Sequence, residues 1–150
     1  MHRNRFVWPL AVVVALVVAT TAAAPVLAGG RPFSTTLSGP REVPAGDPDA
    51  TGTATVWINA GTGTVCYDWS VSNAATPIFA AHIHRAVVGV AGPVVVPLPP
   101  TGPSSGRGCT TGVDRALAMD ILIHPSDYYI NTHNAEYPSG AARGQLSRTP

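Results

Sequence analysis

Residues 78–98 read IFAAHIHRAVVGVAGPVVVPL and contain the clearest pattern in the chain. In an extended strand successive side chains point to opposite faces, so His82 and His84 are predicted to share one face of a sheet. The opposite face is then predicted to carry Phe79, Ala81 and Ile83. The glycines and the proline that follow indicate a turn, after which the valine run 94–96 can return as a second strand. The pattern predicts two strands joined by a loop, with two histidines side by side.

Alternation of apolar and polar residues marks further strands along the chain. It is clearest in residues 51–59 and 64–72, and the Ala-Gly-Thr-Gly sequence between them predicts a hairpin. Residues 99–106 are rich in Pro, Gly and Ser and predict a surface loop. The predicted strands are residues 33–37, 51–59, 64–72, the histidine strand, 94–96, 128–133 and 142–147.

One segment has a helical period instead. Apolar residues recur every four positions between Val113 and Ile123, which predicts a short helix that Pro125 ends. Thr111 lies three residues before Asp114 and predicts a start that resembles a capping box. About seven short strands with one late helix predict a mainly β fold, either an antiparallel β-sandwich or a flattened Greek-key barrel.

The amino-acid composition excludes several functional classes. The 150 residues suggest one domain, and all nine basic residues are Arg, which excludes a Schiff-base lysine and the lysine of a phosphate-binding loop. Sequence motifs of nucleophile elbows and zinc proteases are also missing. Residues 29–150 contain seven Arg and eight acidic residues, so they offer no basic footprint for nucleic acid.

The N-terminus has the pattern of a targeting segment. A basic start, residues 1–5, precedes the apolar run 6–27, and Val26 and Ala28 provide the small residues of a cleavage site. Residues 1–28 are therefore predicted to be a signal peptide and residues 29–150 the domain. A retained anchor is the alternative, because the run approaches the ~20 residues that span a bilayer. We expect a secreted protein, extracellular or on the exterior of the cell envelope, with no membrane contact after cleavage.

Two cysteines, Cys66 and Cys109, are present. In an oxidising compartment a single pair predicts one disulfide bond. A metal site built on the two thiolates would need more soft ligands than this spacing provides.

Three histidines are candidate metal ligands. His82 and His84 have Cα atoms about 6.6 Å apart in a strand, close enough for both rings to reach one ion. His133 is predicted on the same face of its strand as Tyr129 and Asn131. Neutral imidazoles bind copper or zinc well, and three of them leave a position open. The alternative is that these histidines form structural hydrogen bonds; His124, before Pro125, is a weak fourth candidate.

Two long motifs resemble those of a known family. The sequence AHIHRAVVGVAGPVVVPL, followed by HPSDYYINTHNAEYPSGAARGQL, resembles the CHRD domain, a module named after its repeats in chordin, over residues 33–146. The resemblance implies a secreted, β-rich module of poorly defined activity, with five residues inside the family motifs: His82, His84, His133, Arg143 and Gly144. Ala86 stands where the family usually has a glycine, and NTHN replaces the commoner NVHT.

The histidine pattern also has a weaker likeness to copper–zinc superoxide dismutase. By that likeness His82, His84 and His133 would bind copper, and Arg143 would guide an anion. However, no histidine lies between His84 and His124, so the bridging ligand and the zinc loop are missing. Cys66 also precedes the histidine strand instead of following it.

The sequence leads to two functional hypotheses. The first is a secreted CHRD module with a binding or structural role at the cell exterior, whose partner is an unknown extracellular protein or a metal ion. The alternative is a copper- or zinc-binding protein or enzyme that resembles copper-only superoxide dismutase. Enzymatic activity stays open, with a role without catalysis favoured. Arg143 is an anion-binding or a structural residue.

Overall fold

The computed structural model describes residues 29–149. The predicted signal segment, residues 1–28, lies outside them. One α-helix, α1, spans Arg115–Ile123, and short 3-10 turns span Gly39–Arg41 and Pro125–Asp127. The strands are β1 (Arg31–Ser38), β2 (Thr51–Asn59), β3 (Thr64–Ser72), β4 (Ile78–Arg85), β5 (Val94–Pro97), β6 (Ser105–Thr111), β7 (Tyr128–Asn134), β8 (Ala142–Gln145) and β9 (Ser147–Arg148).

The strands form a single antiparallel sheet in the order β5-β4-β7-β8-β1-β2-β3-β6, with β9 beside β1. The two ends of this sheet approach each other. The Thr110 hydroxyl of β6 donates a hydrogen bond to the Pro97 carbonyl of β5, and the Trp69 indole N–H donates to the carbonyl of Leu98. The sheet is therefore nearly closed, and the predicted mainly β architecture with one short helix is confirmed in its barrel form.

The inner face of the sheet forms the apolar core. Ala54, Val56 and Ile58 of β2 are buried, and Val65, Tyr67, Trp69 and Val71 of β3 are buried with them, as their alternation predicted. Ile83 of β4 and Ile130 of β7 pack into the same cluster. The histidines therefore lie on the opposite, outer faces of β4 and β7.

The predicted disulfide is present. Cys66 on β3 and Cys109 on β6 are directly opposite each other in the antiparallel pair, and their sulfur atoms are bonded. The bridge fixes the edge strand β6 to the sheet.

The prediction of a loop over residues 99–106 is wrong for its last two residues, because β6 starts at Ser105. Ser105 and Gly106 pair with Ser70 and Trp69 of β3. A Cβ at Gly106 would lie 2.5 Å from atoms of the Trp69 ring, so glycine allows the strand to pass over the indole. With β6 and the separate β9, the sheet has nine strands instead of about seven.

The helix begins two residues later than predicted. Asp114 is its N-cap, and one carboxylate oxygen accepts hydrogen bonds from the backbone N–H groups of Ala116 and Leu117. Thr111 belongs to the end of β6, so the capping-box prediction is wrong. A single Asp satisfies the free N–H groups of the first turn.

The predicted face of Phe79 is also wrong. The pairing of β4 with β7 shifts between Ile78 and Ala80, and such an irregularity reverses the alternation on one side of it. Phe79 is 58% exposed, and its ring centre lies 6.5 Å from that of His133. The aromatic ring is therefore beside the histidines.

Within residues 29–149, no helix has both the length and the apolar character needed to cross a bilayer.

Candidate metal centre

The pairing of β4 with β7 brings the three predicted histidines together on the outer face of the sheet. His82 lies opposite Asn131, His84 opposite Tyr129, and His133 opposite Ala80. The ring centres are 5.0 Å apart for His82 and His133, 5.7 Å for His82 and His84, and 6.1 Å for His84 and His133. One nitrogen from each ring lies within 4.8 Å of the other two.

Backbone carbonyls orient two of these rings. The Nδ1 atom of His84 lies 2.8 Å from the Gly92 carbonyl oxygen, and Nδ1 of His133 lies 3.0 Å from that of Pro138. A carbonyl oxygen only accepts hydrogen bonds, so each Nδ1 carries the proton and each Nε2 keeps its lone pair. A metal-ligating histidine commonly has its other ring nitrogen fixed in this way.

The remaining nitrogens point toward one another. The Nδ1 atom of His82 lies 3.1 Å from Nε2 of His133, and because that Nε2 is an acceptor, His82 is the donor. The Nε2 atom of His84 is buried and forms no hydrogen bond of normal geometry within the described residues. Burial lowers the pKa of this histidine, and the neighbouring Asn131 side chain partly opposes that effect. An unpaired buried polar atom is unfavourable and marks a place where a further group can bind.

Burial keeps the three rings neutral. It lowers the pKa of His82 to about 4, with smaller contributions from the neighbouring His133 and His84. Burial also lowers the pKa of His84 and that of His133, although hydrogen bonds to the Gly92 and Pro138 carbonyls partly oppose it. Neutral imidazoles are the ligating form, so metal binding at neutral pH does not require a charged ring to lose a proton. The one rearrangement needed is at His82, whose proton would have to move from Nδ1 to Nε2 before Nδ1 could bind a metal.

The three histidines are a candidate ligand set for a copper or zinc ion. Nitrogen ligands about 2.0–2.1 Å from a zinc ion in tetrahedral geometry are separated by roughly 3.3 Å, and the His82–His133 pair lies at 3.1 Å. The three nitrogens together lie within 4.8 Å, so binding would draw the rings closer to one another. His82 is only half-buried, so the cluster is open to solvent on its side. Three imidazoles with an open side are the ligand set of a site that keeps one position for water or another ligand.

The other histidine candidate is not part of this cluster. His124 is the C-cap of α1, and its Nδ1 atom lies 2.9 Å from a carboxylate oxygen of Asp120. The same carboxylate accepts a hydrogen bond from the Tyr128 hydroxyl. His124 therefore belongs to a network at the end of the helix.

Arg143 lies beneath the loop of residues 86–93. Its guanidinium donates hydrogen bonds to the carbonyls of Val90 and Val87, at 2.8 and 3.0 Å, and only 2% of the residue is exposed. It also lies over the Tyr129 ring. These are the contacts of a residue that holds a loop in place.

Tyr129, which the sequence placed on the face of His133, and Glu42, which it did not single out, complete this outer layer. Tyr129 stacks on the His84 ring with 4.8 Å between ring centres, and its hydroxyl accepts a hydrogen bond from the Gly92 N–H group. Glu42 is 6% exposed, and burial raises the pKa of its carboxyl to about 7, although Arg143 acts in the opposite direction. The shared face of Tyr129 and His133 could be read from alternation, whereas nothing in its Pro- and Gly-rich surroundings distinguished Glu42.

The aromatic residues of β2, β3 and β7 lie on both faces of the sheet. Trp69 and Tyr128 belong to the core and are 1% and 0% exposed. Trp57 is half-buried on the outer face of β2.

A family model for the CHRD domain matches residues 33–146. The chain belongs to the CHRD domain family. The match includes both histidine motifs and Arg143, so the cluster lies inside the CHRD domain. Searches of curated proteins and of solved structures found no match.

Proposed function

We propose that this CHRD domain is a secreted binding module of the cell exterior, and that its three-histidine cluster binds one Cu(II) or Zn(II) ion. The main support is the convergence of three ring nitrogens, one of which, His84 Nε2, is buried and forms no hydrogen bond of normal geometry within residues 29–149. A metal ion would satisfy that nitrogen without adding a buried donor. Secretion is supported by the signal-like sequence of residues 1–28 and by the disulfide, because disulfides persist in oxidising compartments.

The proposed role is binding without catalysis. An anion-guiding arginine would have to present its guanidinium to solvent near the metal. Arg143 is 2% exposed and uses its guanidinium on two loop carbonyls. The dismutase likeness therefore extends to the placement of three histidines and not to this arginine.

The test is metal content followed by titration. Protein purified from the secreted fraction should contain copper or zinc, and after chelation it should bind one ion per chain. His84→Gln should weaken binding by more than the ~10–100-fold that loss of an outer-shell partner causes, because it removes a ligand. His124→Gln is the matched control and should bind as the native protein does.

A second variant separates ligation from stability. His84→Gln also loses the hydrogen bond to Gly92, so it can lower the melting temperature for a structural reason. His82 is half-buried and its hydrogen-bond partner is His133 instead of a backbone carbonyl, so His82→Gln should lower the melting temperature less than His84→Gln and still lose affinity. A native protein without stoichiometric metal, together with unchanged titrations for both variants, would show that the histidines are structural.

A further inference from the structure

A second concave surface is lined by none of the three histidines, although Arg143 is part of its lining. It is a groove of about 880 Å³ over the outer faces of β1 and β2, which are separated from the histidine strand β4 by β7 and β8. Grooves of about 300–1,000 Å³ are the usual size of small-ligand sites. This groove is therefore large enough to hold a ligand independently of any metal.

Hydroxyl side chains form the floor of the groove. Ser34 lies opposite Thr55 and Thr36 opposite Thr53, and because Phe33, Leu37 and Ala54 are buried, these four side chains share the outer face. Ser147 of β9 lies opposite Ser34 and extends the row. Each hydroxyl can donate one hydrogen bond and accept two. Such a surface matches a ligand that is itself rich in hydroxyl groups.

Two guanidinium groups also line the groove. Arg41 is exposed, and its Nη1 atom donates hydrogen bonds to the backbone carbonyl and the hydroxyl of Thr36 at 2.8 and 2.9 Å. Arg143 lies at the same groove and is almost fully buried. Within residues 29–149 neither Arg41 nor Arg143 lies within ion-pair distance of a carboxylate, although Arg143 is near enough to Glu42 to oppose the rise that burial causes in the pKa of that carboxyl.

The acidic side chain that lines the groove offsets this charge only in part. Glu42 is buried, and burial raises the pKa of its carboxyl to about 7, so a fraction of it is uncharged at neutral pH. Buried charges are normally paired, and a guanidinium pairs best with a carboxylate or phosphate. The groove thus has an excess of positive charge over a floor of hydroxyls.

We propose that this groove binds an acidic polysaccharide, a sugar chain that carries carboxylate groups as well as hydroxyls. The carboxylate would pair with Arg41, and the ring hydroxyls would bond to the floor. Trp57 is half-buried two residues beyond Thr55 on the same face of β2, and it offers an apolar ring surface beside the groove.

A sheet-face groove is less suited to a peptide. Extended peptides gain affinity by pairing with the free edge of a sheet. Strand β2 is paired along its whole length on both sides, and β1 is paired along its whole length with β2 and near its two ends with β9 and β8. The carbonyls of Ser34 and Thr36 accept hydrogen bonds from the Ser147 and Arg41 side chains, so most backbone groups of the two strands are already used. The side chains are the main groups available to a ligand, and they favour hydroxyl groups.

The test uses three probes on the purified secreted protein, stripped of metal so that the histidine cluster plays no part. Oligomers of galacturonic acid should bind one per chain, and their affinity should fall as sodium chloride is raised, because salt screens exposed charges. Their methyl esters keep the hydroxyls without the charge, and oligoglutamate keeps the charge without the sugar. Both should bind at least about tenfold more weakly, since each lacks one class of contact.

Matched variants locate the site. Arg41→Gln should weaken galacturonate binding about tenfold, while Arg31→Gln removes the same charge from β1 outside the groove and should leave binding unchanged. Thr55→Val should weaken binding, and Thr51→Val on the same strand outside the groove should not. The proposal is overturned if galacturonate does not bind, if either control probe binds equally well, or if Arg41→Gln behaves as Arg31→Gln does. None of these outcomes bears on metal binding, which the histidine variants test separately.

Discussion

The guanidinium carbon of Arg143 lies 3.4 Å from the centre of the Tyr129 ring. Tyr129 in turn stacks on His84, and its hydroxyl accepts a hydrogen bond from the N–H group of Gly92, whose carbonyl orients the same histidine. Arg143 holds the loop that contains Gly92 through the carbonyls of Val87 and Val90. The arginine therefore contacts the histidine cluster indirectly, through the loop and the tyrosine, and in this way it positions His84.

Arg143→Lys tests this relationship. A lysine keeps the charge but cannot hold two carbonyls with a planar fork and stacks less well on an aromatic ring. We expect a loss of about 1–3 kcal/mol in the free energy of unfolding and a weaker metal affinity. Urea denaturation and zinc titration measure the two effects. Arg31→Lys is the control, and equal behaviour of the two variants would contradict the positioning role.

The disulfide should contribute strongly to stability. Cys66 and Cys109 are 43 positions apart in sequence, and closing a loop of that size gives about 4 kcal/mol in the chain-entropy model. Reduction, or replacement of both cysteines by serine, should lower the melting temperature by more than about 10 °C. Calorimetry with and without reductant measures this difference. A change of only a few degrees would show that the reduced chain already restricts β6.

Gly106 should not tolerate a side chain. Its added Cβ would lie 2.5 Å from atoms of the buried Trp69 ring, which the Leu98 carbonyl fixes through the indole N–H group. Gly106→Ala should therefore destabilise the fold by about 1–3 kcal/mol, as overpacking does. At Gly102 the added Cβ would meet the flexible Ser105 hydroxyl at 3.2 Å, so Gly102→Ala should have little effect. Equal melting temperatures for the two variants would mean that the indole can move.

The parts of the fold that the sequence predicted are those that local patterns determine. Strands β2 and β3 have the predicted bounds because a short hairpin joins them and their alternation continues to the last residue. Strand β6 lacks alternation in its Ser-Gly-Arg-Gly start, and its pairing with β3 depends on residues about forty positions away. Simple alternation predicts the wrong face for Phe79, because the irregular pairing between Ile78 and Ala80 cannot be recognised from the residue types.

In the candidate site, too, the features set by local sequence patterns were predicted and those set by loops or long-range packing were not. Alternation placed His82 beside His84, and the family motifs added His133. The carbonyls of Gly92 and Pro138 belong to loops, whose conformation a local pattern does not determine, so the ring orientations could not be predicted. The burial of Glu42 depends on packing against Gly140 and Arg143, both far along the chain.

Glu42 should make the stability of the protein depend on pH near neutrality. Burial raises the pKa of its carboxyl from the ordinary 4.5 to about 7 in the folded state, so between these values the folded protein holds a proton that the unfolded chain has released. The contribution to stability is therefore fully present below about pH 4.5 and is lost as the pH rises through about 7. Glu42→Gln keeps the shape without the charge, so it should match the native stability at pH 4 and exceed it increasingly from pH 5 to pH 8.

Urea denaturation of the native protein, Glu42→Gln and Glu136→Gln at pH 4, 5, 6, 7 and 8 measures this dependence. The native curve should fall between pH 5 and 8 relative to that of Glu42→Gln, while Glu136→Gln, which alters an exposed glutamate, should follow the native curve. The opposite result, a Glu42→Gln variant that is less stable than the native protein at pH 8, would mean that attraction to Arg143 outweighs burial. The carboxylate would then be ionised and paired with the guanidinium, and the groove would have less positive charge than its two arginines suggest.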